Sequence, residues 1–288
     1  MIRFRAGATR MALPAAALAL AWAAADVSPA SAQNWAELQN PQIAISYVEP
    51  RNSAFRPIYE RLKQRQVLEQ LSAFMSPLSL TRKLEVKTDQ CGATTSVFVP
   101  GGGVTICYEY VAEIERLAPT ARTQYGVTRE AAVTGAFVQV VLHEMSRAVF
   151  DILQVPVWGR EADAADKLAG FIMLQFGPDV ALTLLTGTAH FFDASGRTWT
   201  GSDFSDTRST ETQRFYNYLC IAYGGPSSDE FKVFLDVIGF LKLKRARHCA
   251  AEYRDLRWAF QRTILPHVDR DLMDKIRTMK ILRPDDGR

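Results

Sequence analysis

Val140-Val141-Leu142-His143-Glu144-Met145-Ser146-Arg147-Ala148-Val149-Phe150-Asp151 is the stretch on which the reading of this chain turns. It belongs to an apolar run over 128–153 with helical spacing, opened by Thr128 as an N-cap ahead of Arg129-Glu130 and closed at Val155-Pro156. A long helix is predicted there. In a helical His-Glu-x-x-His, two imidazoles one turn apart share a zinc ion, and the intervening Glu acts as base on a metal-bound water. Arg147 stands where the second histidine of that pattern belongs. Taken by itself, a lone His-Glu pair on an apolar helix is the pattern of a hydrogen-bonded core histidine beside a solvated glutamate.

Upstream, 43–49 alternates like a strand, and 55–74 carries Ile58, Leu62, Val67, Leu68 and Leu71 at helical spacing. Segments 80–86, 95–99 and 104–108 read as strands, the last two joined into a hairpin by Pro100-Gly101-Gly102-Gly103. No Lys-Ser or Lys-Thr follows those glycines, so they form a turn rather than a phosphate loop. Downstream, helices are expected over 109–117, 161–176, 178–193, 210–223, 229–241, 245–262 and 269–279. The Gly-, Ser-, Thr- and Asp-rich segment 194–209 is expected to be a loop. The fold class that follows is α+β: one mostly helical domain over 33–288, with a small N-terminal β-sheet.

The N-terminus has an address. Arg3, Arg5 and Arg10 precede an apolar run over 11–25, and Ala30-Ser31-Ala32 supplies a small-x-small cleavage site, so 1–32 reads as a secretory signal peptide. The apolar run is shorter than the roughly 20 residues of a spanning helix, and Asp26 closes it. The expected product is a soluble periplasmic or secreted protein with no transmembrane anchor after cleavage. The chain has a net charge of +3; removing three Arg and one Asp with 1–32 leaves about +1. With no run of Lys and Arg able to track a phosphate backbone, nucleic acid is not an expected partner. Cys91, Cys107, Cys220 and Cys249 all follow the leader, and an even number in an oxidising compartment points to disulfides. Three pairings are open; locality along the chain favours Cys91 with Cys107 and Cys220 with Cys249. No two cysteines stand two to four residues apart, which argues against a zinc–cysteine site.

Three further segments accompany the His143 stretch: Ile106-Cys107-Tyr108-Glu109, then Pro156-Val157-Trp158-Gly159-Arg160-Glu161-Ala162-Asp163-Ala164-Ala165-Asp166, then Gln213-Arg214-Phe215-Tyr216-Asn217-Tyr218-Leu219-Cys220. In this order they resemble a family of exported zinc metallopeptidase-like proteins, named largely as a domain of unknown function and similar in plan to the gluzincins. The resemblance covers roughly residues 50–265. The first family helix reads His-Glu-x-Gly-His-Ala-x-x-Asp, which implies His143 as a zinc ligand, Glu144 as general base, Asp151 as the trailing acid, and Arg147 at the second ligand's place. The next carries Glu-x-x-Ala-Asp, whose Glu is the third ligand; aligning Ala165-Asp166 puts Ala162 there. Where the family shows Asp-x-His-Ser, this chain has Asp206-Thr207-Arg208-Ser209. The resemblance also implies that the hairpin over 97–107 presents an edge for an extended peptide.

Catalytic zinc needs about three protein ligands, and a guanidinium has no lone pair to offer. Arg147 instead repels a divalent ion and is expected to pair with Glu144 at i−3 and with Glu161 or Asp166. The reading is therefore a family member whose metal site is rebuilt as an Arg–carboxylate cluster, with no cofactor expected, acting as a peptide- or protein-binding protein of the cell envelope. The alternative is a working zinc peptidase that uses His143 and Glu144 and recruits His190, Glu161 or Asp163; His248 and His267 fall on separate predicted elements. Aromatics from Phe215 to Phe260 are expected to be mostly core, and Lys242-Leu243-Lys244-Arg245-Ala246-Arg247-His248 a solvated helix junction.

Overall fold

Alternating apolar residues in three short segments build a sheet against which the long helix packs. In the computed structural model, which describes residues 38–92, 95–198, 208–226, 232 and 241–277, the strands are β1 (Ile43–Tyr47), β2 (Leu84–Asp89), β3 (Val97–Phe98) and β4 (Gly103–Cys107). Their order is β1-β2-β4-β3. β2 is parallel to both of its neighbours, with Val86 between Ile45 and Val104, while β3 returns antiparallel on β4 as the edge strand opposite β1. Leu84, Val86 and Thr88 of β2 face inward and Glu85 faces out, the period of two expected of a half-buried strand. The hairpin expectation holds, but its first strand is only two residues long. The strand expected over 80–86 starts four residues later and runs to Asp89.

The helix expected over 55–74 is two helices, α1 (Arg56–Gln64) and α2 (Val67–Phe74). Gln66, at φ 50°, takes the left-handed conformation between them and turns the chain. Tyr47 then ties α2 to β1: its hydroxyl donates to Glu69 at 2.6 Å and accepts from the Leu68 amide at 2.9 Å.

The remaining helices are α3 (Tyr108–Leu117), α4 (Arg129–Ile152), α5 (Glu161–Met173), α6 (Pro178–Thr198), α7 (Glu211–Gly224), α8 (Leu243–Thr263) and α9 (Arg270–Arg277). Thr128 caps α4 as expected, accepting from the Ala131 amide. Thr210 opens α7 in a capping box with Gln213. α4 is buried on nearly every side from Ala136 to Phe150, so it is the axis of the fold, packed against α3, α5, α6, β3 and β4. Its crossing with α6 is close because glycines sit at the contact. A Cβ on Gly187 would lie 2.0 Å from the Ala131 carbonyl oxygen, and one on Gly135 2.4 Å from that of Leu184. Thr188 fills the crossing and donates its hydroxyl to the Gly135 carbonyl at 2.9 Å.

The loop expected over 194–209 is corrected in part: α6 continues through 194–198, and 199–207 lie outside the described residues. The helix expected over 229–241 lies outside them as well, apart from Lys232 and Leu241, as does the leader 1–32. Two disulfides cross-link the fold. Cys91–Cys107 ties the segment after β2 to the end of β4, and Cys220–Cys249 ties α7 to α8. Among the described residues no helix is long and apolar enough to cross a membrane.

Candidate functional site

Three helices converge on one buried carboxylate. Asp166, in the second turn of α5, is 3% exposed, and its two oxygens accept from three other side chains as well as facing His143. Arg214 of α7 donates from Nε to Oδ2 at 2.7 Å and from Nη2 to Oδ1 at 2.9 Å, a bidentate pair. Gln139 donates to Oδ1 at 3.0 Å, and the Tyr218 hydroxyl donates to it at 3.4 Å. His143 Nδ1 lies 2.7 Å from the same oxygen. An ionised carboxylate only accepts, so this contact sets the imidazole proton on Nδ1 and leaves Nε2 as the outward nitrogen.

Electrostatics keep Asp166 ionised. Burial alone would push its pKa up, but the charge of Arg214 and the hydrogen bond from His143 outweigh that and hold it well below the usual carboxylate range. The Arg214 guanidinium, whose charge burial disfavours, is held well above its ordinary value by Asp166 and then Glu211. Phe192 of α6 lies under it, with the guanidinium carbon 4.1 Å from the ring centre. Tyr218 is shifted upward, by burial first and by the Asp166 charge second, so its hydroxyl stays a donor.

A second cluster lies one turn further along α4. Arg147 donates from Nε to Glu161 at 2.9 Å and from Nη1 to Glu144 at 3.3 Å, and its guanidinium lies 5.7 Å from the Phe98 ring centre on β3. Glu144 is buried and Glu161, at the start of α5, is half exposed. The expectation that Arg147 pairs with carboxylates thus resolves into Glu144 and Glu161. Asp166 is engaged by His143 and Arg214 instead.

The other expected positions are drawn elsewhere. Asp163 accepts from the Ser209 amide at 2.9 Å and its hydroxyl at 2.8 Å, pinning the entry to α7. Arg208 offers its carbonyl to Arg160 at 3.3 Å, and its neighbours 206–207 lie outside the described residues. Asp151 turns toward the sheet, paired with Arg82 and accepting from the Gly101 amide at 3.3 Å. His190 of α6 is bonded to the Leu117 backbone, and burial lowers its pKa. The sequence assigns no site role to Gln139, nor to Arg214 and Tyr218, although the last two fall in the 213–220 segment that carries the resemblance. Their signal is spacing: Gln139 is one turn before His143, and Arg214 and Tyr218 are one turn apart on an otherwise apolar helix face.

A family model described as "Putative metallopeptidase" matches residues 47–264, most of the chain. The chain belongs to this family. No curated protein and no solved structure matches it. The resemblance implies metal ligands on α4 and α5. His143 fits: a carboxylate on one ring nitrogen and a lone pair on the other is how a metal-binding histidine is oriented. The remainder does not fit. Position 147 carries a cation without a lone pair, position 162 a methyl group, and the carboxylates of Glu144 and Glu161 are both held by that cation. Among the described residues no three His, Cys, Asp or Glu side chains gather as ligands.

Proposed function

We propose that this family member no longer cleaves peptides and instead binds an extended peptide or protein segment in the cell envelope. One observation carries the reading: the Arg147 guanidinium lies between Glu144 and Glu161, where a peptidase of this family would need a cation with open coordination positions. An arginine supplies the positive charge but cannot polarise water into a nucleophile. Glu144, tied to that charge, has no metal-bound water to act on.

Peptide binding is supported by β3. It is one of the two edge strands of the sheet, Val97 in it and Val99 just after it stand exposed, and Phe98 between them packs beneath Arg147. Strand addition relies on backbone hydrogen bonds and side-chain pockets, neither of which needs a metal. Export is supported by the leader-like residues 1–32 and by the two disulfides.

The test is metal content and turnover of protein isolated from the exported fraction. The expected outcome is less than stoichiometric zinc after dialysis, no cleavage of a mixed peptide library, and a melting temperature unchanged by a chelator. About one equivalent of tightly held zinc with peptide hydrolysis overturns the reading. N-terminal sequencing of the same material should begin at Gln33.

A further inference from the structure

The face of α4 opposite the ion-pair clusters lines a cavity of about 460 Å³. This is within the roughly 300–1,000 Å³ range of small-molecule sites. Its walls are apolar: Met145 and Val149 from α4, Phe171 from α5, Phe260 from α8 and Ile276 from α9. Phe171 packs against both Tyr253 and Phe260 of α8, with ring centres 5.7 and 4.9 Å away, so the wall between α5 and α8 is aromatic. The floor is stapled by the segment after α8, where Ser79 donates to the His267 carbonyl at 2.7 Å and Asp269 to that of Pro77 at 2.8 Å.

One charge interrupts this lining. Arg257 is the single charged residue among the described residues around the cavity, and it is exposed at α8 with no carboxylate paired to it among them. An unmatched cation beside an apolar cavity of this size complements a molecule with an apolar body and one anionic head. We infer that this cavity binds a free single-chain carboxylate such as a fatty acid, with the chain among Met145, Val149, Phe171 and Phe260 and the head group on Arg257. The site is separate from the peptide edge at β3 and does not depend on whether the ion-pair cluster binds metal.

Calorimetric titration of the oxidised protein with monomeric dodecanoate, dodecanol and dodecylamine tests this. Dodecanoate should bind one to one, at least tenfold tighter than dodecylamine, with dodecanol between. Arg257→Ala should remove the preference for the acid, and Arg257→Glu should reverse it in favour of the amine; the exposed position leaves the fold intact, which the melting temperature checks. No saturable binding of dodecanoate overturns the inference. So does equal affinity for acid and amine, and so does binding confined to anionic phosphatidylglycerol vesicles.

Discussion

Nδ1 of His143 and Oδ1 of Asp166 lie 2.7 Å apart in a buried contact between α4 and α5. This is the arrangement that orients a metal-binding imidazole, and it lies one turn from an arginine, which has no lone pair for a metal. Asp166 also neutralises Arg214, so its removal would disturb a second buried charge.

Asp166→Asn should therefore cost about 3–5 kcal/mol at neutral pH, because buried Arg214 loses its bidentate partner and keeps only Glu211, at 3.4 Å, as a counter-charge. Urea denaturation measures it. Asp166 has a depressed pKa when folded, so its contribution is fully present above the unfolded carboxyl value of about 3.9 and is lost as pH falls toward the lower folded value. The parent should lose stability progressively below about pH 4, and the variant should show a shallower acid slope.

Arg147→His together with Ala162→Glu should restore a zinc site, because His143 is already oriented and Glu144 would be released from its cation. Metal analysis after dialysis should find zinc in the double variant and not in the parent. Arg147→His alone, lacking a third ligand, should hold it weakly.

Gly187→Ala should destabilise by about 1–3 kcal/mol or more, since its Cβ would collide with the Ala131 carbonyl and force α4 and α6 apart. Gly196→Ala, in the same helix, meets no backbone atom that closely and should change little. Paired thermal melts of the two variants separate crowding from helix propensity.

Mild reduction followed by alkylation should label Cys91 and Cys107 before Cys220 and Cys249. Cys91 is exposed and open to attack by an external thiol, whereas both sulfurs of the other disulfide are buried. Full reduction should lower stability by a further amount on the order of 3 kcal/mol, as expected for freeing a loop of this length.

Local patterning made most elements readable. α4 was legible to within a residue or two because Thr128 caps it and a continuous apolar run has no competing period. The break at Gln66 was not, since a left-handed glutamine carries no signature comparable to glycine. The extension of α6 through 194–198 was hidden by Ser and Gly residues that elsewhere favour loops.

At the site the division is sharper. Sequence alone determined that position 147 is a permanent cation one turn from His143, because ionisation of arginine is a property of the residue type and i,i+4 spacing a property of the helix. Only the tertiary structure decided which carboxylates answer it. Glu161 rather than Asp166 meets Arg147, and Asp166 is claimed by Arg214 from a helix 48 residues further on. Charge pairing across a core depends on which oxygen reaches which nitrogen within about 3 Å, a distance set by helix packing and not by order along the chain.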